Sequence, residues 1–111
     1  MSEPNINEME QFVLLALVRL GEGAYGVPIR EEIEERAGRS VSIAAVYAAL
    51  DRLEGRGLVE SWLTAPTPER GGRAKKHFSV SAEGAAALAA AREAMARMWE
   101  GVELEPDLLD R

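Results

Sequence analysis

Apolar positions recur at three- and four-residue steps through four stretches of this chain, and between the third and fourth they give way to alternation. Such steps read as helices and alternation reads as strands. The first helix is expected from about Asn7 to Leu20, with Asn7 as cap and Glu10 as the reciprocal capping-box partner. Phe12, Leu15, Ala16 and Arg19 share a face, but Val13, Leu14, Leu17 and Val18 make the rest apolar too. A helix apolar nearly all round needs cover on more than one side. In so small a chain, part of that cover is expected from a second subunit. Gly21 and Gly23 end the helix.

A second helix is expected from Gly26, with Pro28 in its first turn and Ile29, Ile33 and Ala37 as its buried stripe. Glu31, Glu32, Glu34 and Glu35 lie mostly outside that stripe, and Gly38 stops the helix. The turn from Gly38 to Val41 is short, as a helix-turn-helix requires. The third helix runs from about Ile43 to Gly55, capped by Ser42 or Ser40. Ile43, Val46, Leu50 and Leu53 form its stripe. Ala44, Ala48, Asp51 and Arg52 lie on the other side, with Tyr47 on a flank.

Leu58 to Ala65 and Ala74 to Val80 then read as two strands of a hairpin. In the second strand Phe78 and Val80 share one face, and His77 and Ser79 share the other. Ser81 opens a last, Ala-rich helix, on which Leu88, Ala91, Met95, Met98, Trp99 and Val102 fall on one stripe. The order helix, helix, helix, hairpin, helix predicts a mainly α fold with a small β-hairpin: a winged helix-turn-helix over 1–80, one long C-terminal helix over 81–102, and an acidic tail over 103–111.

Composition adds limits. The 111 residues argue for one domain, and no run approaches the roughly 18 apolar residues of a membrane span. The N-terminus is acidic and polar rather than leader-like, and there is no cysteine for a disulfide or thiolate site. A cytoplasmic protein is the simplest reading. The net charge of −6 seems unsuited to nucleic acid, yet its distribution is uneven. Residues 1–38 hold eight acids and three bases, residues 39–76 four acids and seven bases, and residues 77–111 seven acids and three bases. Positive charge is therefore confined to the third helix and the hairpin, and a local basic patch decides phosphate affinity.

Candidate chemistry follows from that patch. Arg70, Arg73, Lys75 and Lys76 flank Gly71 and Gly72, with Pro66 and Pro68 stiffening the approach, and this suits a phosphate-seeking wing. A solvated loop that protects a sheet edge is the plainer alternative. Ser40, Ser42, Ala44 and Ala45 stand at the front of the third helix, where reading helices present side chains to bases. Ser can bond phosphate or base and Ala can touch a thymine methyl, although capping and helix propensity explain the same residues. Arg52 and Arg56 add phosphate contacts or, for Arg52, pair with an acid of its own helix. Phe12, Leu15, Leu88, Met95, Met98 and Trp99 are expected at a dimer interface. For Met95 and Trp99 the other reading is a lining for a small apolar effector between subunits. The sole histidine, His77, suits no metal site or nucleophile pair, so neither catalysis nor a cofactor is expected.

Three segments resemble the PadR-like family of winged-helix transcriptional regulators: Tyr25–Gly26, VYAALDRLEGRGLV from Val46 to Val59, and ERGGRAKKHFSVSAEG from Glu69 to Gly84. The likeness spans about Met9 to Trp99 and, with a single C-terminal helix, is similar to the short-tailed branch. It implies a homodimer that docks two reading helices in successive major grooves of double-stranded DNA. It also implies that the C-terminal helix makes the dimer contact and that the Tyr47 hydroxyl bonds a phosphate. One departure is local: Ile43, Ala44 and Ala45 stand where many members carry Pro-Gly-Thr. The function expected is a DNA-binding repressor acting by operator occupancy. The alternative is a winged-helix adaptor that binds protein and not DNA.

Overall fold

The computed structural model describes residues 5–21, 24–64 and 75–110. Helix α1 spans Glu8–Leu20, α2 Gly26–Ala37, α3 Ile43–Gly55 and α4 Ala82–Trp99, with strands β1 (Val59–Leu63) and β2 (Lys76–Val80) between the third and fourth helices. A one-turn helix, α5 (Pro106–Leu109), lies in the tail, which the sequence pattern left unassigned. The last long helix ends at Trp99, three residues short of the expected Val102, and Gly101 beyond it takes φ 75°. The strands are likewise shorter than expected, and the wing tip with Arg70, Arg73 and the glycines between them lies outside the described residues, as does Gly23.

The caps match the sequence reading. Asn7 Oδ1 accepts from the Glu10 backbone N–H and Glu10 Oε1 accepts from the Asn7 N–H, both at 2.8 Å. Ser42 Oγ caps α3 through the Ala45 N–H at 3.0 Å, and Ser81 Oγ caps α4 through the Gly84 N–H at 3.0 Å. Gly38 closes α2 in the left-handed region at φ 68°, where a Cβ is disfavoured.

One core joins α1, α2, α3 and the hairpin. Val13, Leu14, Ile29, Val46, Leu50, Leu53, Leu58 and Phe78 are fully buried in it. Each contributes about 1.5–3 kcal/mol by leaving water, and truncating one such residue, as in Leu50→Ala, costs about 2–5 kcal/mol. The strands pair antiparallel, with Ser61 opposite Phe78 and Trp62 opposite His77. Phe78 N–H also donates to Ala24 O at 2.9 Å, so Ala24, just ahead of α2, forms a single antiparallel bridge to β2.

Helix α4 is attached at its start. Ser81 N–H donates to Leu58 O at 3.1 Å and Ser81 Oγ donates to Gly57 O at 2.6 Å. Gly84 presses on the same corner, where a Cβ would collide with the Leu58 carbonyl oxygen. Only Gly84 and Ala87 of this helix are buried, while Leu88 and Ala91 pack against the core edge. The rest of α4 stands in solvent.

Candidate nucleic-acid interface

Helix α3 buries Val46, Ala49, Leu50 and Leu53 and leaves its opposite side to solvent. Ala44, Ala48 and Asp51 are exposed on that side, Ala45 is half-buried, and Ser40 and Ser42 stand exposed ahead of it. Tyr47, 40% exposed, lies on the flank with its ring against the first turn of α2. Gly26 permits this approach: a Cβ there would meet the ring carbons of Tyr47 at 2.5–2.6 Å. The Tyr25–Gly26 pair noted in the sequence therefore has a packing reason.

Two carboxylates hold α3 from opposite edges. On one edge Glu10, 4% exposed, reaches from α1. Its Oε2 accepts from Arg52 Nε at 2.9 Å and its Oε1 lies 3.5 Å from an Arg56 guanidinium nitrogen. Arg56 also donates to Asn5 O. Burial pushes the Glu10 carboxyl upward, but the Asn7 N–H and the two guanidinium groups outweigh it and hold the group below the usual glutamate range. On the other edge Glu54 accepts from Ser61 Oγ and from Lys76 Nζ, the latter at 3.1 Å, which ties the base of the hairpin to the end of α3. The Ser61 hydrogen bond and then Lys76 lower its carboxyl despite some burial.

These pairs refine the predicted site. Arg52 is bound to an acid of α1, not of its own helix, and Lys76 shares its charge with Glu54. Lys75 stands over the Tyr25 ring at 4.6 Å, and Tyr25 meets the edge of His77, which stacks on Trp62 at 6.0 Å. This aromatic group covers the outer face of the hairpin. Sequence reasoning identified Glu10 only as a cap partner. Its reach to Arg52 and Arg56 left no signal, since Glu10 stands among Asn7, Glu8 and Gln11 as one polar residue of several. Glu54 left none, because its partners lie on strands whose register is invisible before folding.

The residues expected at a dimer interface divide in two. Phe12 and Leu88 pack partly against the molecule's own core, and the Arg39 guanidinium lies 5.4 Å from the Phe12 ring centre. Leu15, Met95, Met98 and Trp99 are exposed, Met98 by 76% and Trp99 by 52%. Between α1 and α4 runs a groove of about 560 Å³ lined by Gln11, Leu15, Leu88, Ala91, Met95 and Trp99. Among the described residues, no helix is long and apolar enough to cross a membrane.

A three-helix head, a two-stranded hairpin braced to the third helix, and a helix with an open outer side define a winged helix-turn-helix. The profile of the transcriptional regulator PadR-like family matches residues 14–90, and the chain belongs to that family, whose members are transcription regulators rather than enzymes. The fold recurs in a transcriptional regulator from Clostridium thermocellum, at 18% identity and TM-score 0.69, over 83% of this chain and 84% of that one. A PadR family transcription regulator from Clostridium difficile R20291 matches at 22% identity and TM-score 0.64, over 85% and 88%. Bacillus subtilis PadR in complex with operator DNA matches at 19% identity and TM-score 0.63, over 91% of this chain and 51% of that one. At these identities the likeness shows the fold. No curated protein matches the chain in sequence.

Proposed function

We propose that this protein is a cytoplasmic, dimeric, DNA-binding transcription regulator that represses by occupying its operator. The observation that carries the reading is the open side of α3, with Ala44, Ala48 and Asp51 exposed, Tyr47 at its flank and the hairpin braced beside it. Small side chains let a helix approach the floor of the major groove, and the family's role in transcription supports the same use. Ser40, Ser42, Ala44, Ala45 and Tyr47 face the DNA in this reading, while Arg70, Arg73, Lys75 and Lys76 of the wing take phosphates. Arg52 contributes through its exposed edge while remaining tied to Glu10.

The dimer uses α1 and α4. Leu15, Met95, Met98 and Trp99 supply an apolar strip that water disfavours, with Phe12 and Leu88 at its inner margin. A small apolar effector is accommodated in the same groove and would act by changing the spacing of the two reading helices. The test is a gel shift with the duplex upstream of the protein's own gene, on protein shown to be dimeric. A specific shift that weakens steeply with salt is expected. With about 6–8 phosphates engaged, the log-log slope should be near −6. A dimer giving no shift at low salt would transfer support to the adaptor reading. The pairing of Arg52, Arg56 and Lys76 with carboxylates is the feature that favours that reading.

A further inference from the structure

Helices α1 and α2 leave a groove of their own, about 210 Å³ in volume. Phe12, Leu15, Ala16, Ile33 and Ala37 give it an apolar lining. Such a volume takes aliphatic side chains but not the body of a helix, which is about 10 Å across. Arg19, Glu32 and Arg36 also line it. Glu32 and Arg36 neutralise each other at 2.8 Å, whereas Arg19 forms no ion pair among the described residues. The groove is therefore apolar inside, with a net positive charge at its edge. Leu15 lines the α1/α4 groove as well, so the two grooves adjoin.

The tail carries the opposite pattern. Leu104, Leu108 and Leu109 are exposed, and Glu103, Glu105, Asp107 and Asp110 stand around them. A helix of one turn has too few hydrogen bonds to hold itself, so the order of α5 depends on cover for its leucines. Within one chain the tail finds no such cover: every residue from Glu100 to Asp110 is exposed. Leucines held in water favour a partner, and the acids around them favour a groove edged by a cation. A second copy brings the two together. With its α4 laid in the α1/α4 groove, its tail has only to pass Leu15, and the nine residues from Trp99 to Leu108 extend up to about 30 Å. We propose that Leu108 and Leu109 of one copy seat in the α1/α2 groove of the other, with Arg19 beside the acids of the tail. Two-fold symmetry makes this contact twice per dimer. The proposal rests on the dimer reading above and gives the acidic tail a use in it.

The test is sedimentation equilibrium of the full-length chain, with circular dichroism to show that each variant is folded. Leu108→Ser with Leu109→Ser should raise the dimer Kd about tenfold or more, although both side chains are exposed in the single chain. Arg19→Glu should raise it a fewfold, and Asp107→Arg added to Arg19→Glu should recover part of the loss. The chain has no cysteine, so an introduced pair reports one contact. Ala37→Cys and Leu108→Cys chains carrying different tags are mixed and treated with a short bismaleimide. A cross-linked species holding both tags is expected. A wild-type protein that stays monomeric overturns the dimer reading and this proposal together. A wild-type dimer whose Kd the serine variant leaves unchanged overturns the seating of the tail alone, as does the lack of a mixed cross-link. A chain carrying both cysteines that closes on itself at single mass would also overturn it, since the tail would then fold back on its own groove. A charge swap that recovers nothing overturns the match between Arg19 and the tail.

Discussion

The carboxylate of Glu10 in the first turn of α1 accepts from Arg52 Nε in the third turn of α3 at 2.9 Å, across 42 residues of sequence. The same carboxylate caps α1 and holds Arg56, so one side chain joins the start of the first helix to the end of α3. Glu10→Ala is expected to cost about 2 kcal/mol, the sum of a lost cap and a broken pair whose arginines are partly solvated. Glu10→Gln should cost about half as much, since it keeps the cap. Urea unfolding midpoints measure both. A loss no larger than that of an exposed control such as Glu35→Ala would remove Glu10 from this role.

Acid should act through the same group. Burial raises the Glu10 carboxyl, but its N–H and guanidinium partners prevail, and the folded value lies below the unfolded one. A depressed carboxylate contributes stability above its unfolded value, about pH 4.3, and that contribution is lost as pH falls through the lower folded value. Glu54, lowered by Ser61 and Lys76, acts with the same sign. Melting temperature should therefore drop on the acid side of about pH 4.3, and the Glu10→Gln, Glu54→Gln double variant should show a shallower drop. Parallel acid limbs for the two proteins would contradict this assignment.

Gly26→Ala places a methyl at 2.5 Å from the Tyr47 ring and must expel it, at about 1–3 kcal/mol. Tyr47→Ala in the same chain should restore part of the stability, because the obstructing ring is gone. Thermal melts of the two single variants and the double variant form the cycle, and additivity would mean that the two residues do not touch in solution.

Glu54→Gln frees Lys76 from its carboxylate. A released cation adds to phosphate binding, so the duplex affinity should rise a fewfold and the salt slope should steepen by up to about one unit per protomer. A fall in affinity would instead mean that Glu54 matters only as a brace for the hairpin.

Exchanging Met98 and Trp99 for Glu should dissociate the proposed dimer, because charge would replace two exposed apolar positions of the strip. Light scattering should report half the wild-type mass at micromolar protein, with circular dichroism retained. An unchanged mass would place the subunit contact elsewhere.

Helix boundaries were legible because caps and periodicity are local. Asn7, Ser42, Ser81 and Gly38 stand where the chain itself announces a start or a stop. The open face of α3 was legible for the same reason, since Val46, Leu50 and Leu53 define its opposite. What escaped was long-range: which acid meets Arg52, and that Lys76 pairs with Glu54. Those pairings depend on how elements pack, and charge spacing along one helix carries no record of it. The early end of α4 escaped differently, because Val102 continues the apolar step after the hydrogen-bonded helix has stopped.

The contact between Gly84 and the Leu58 carbonyl leaves α4 no clearance at its base, Leu88 and Ala91 rest on the core edge, and the residues beyond Ala91 are exposed. The helix is thus a lever with a fixed fulcrum at one end. From Gly84 to Trp99 it extends about 22 Å, so a tilt of about 5° at the fulcrum moves the far end by about 2 Å. Filling the fulcrum, as Gly84→Ala would, must displace backbone rather than a side chain, and so re-aims the whole arm.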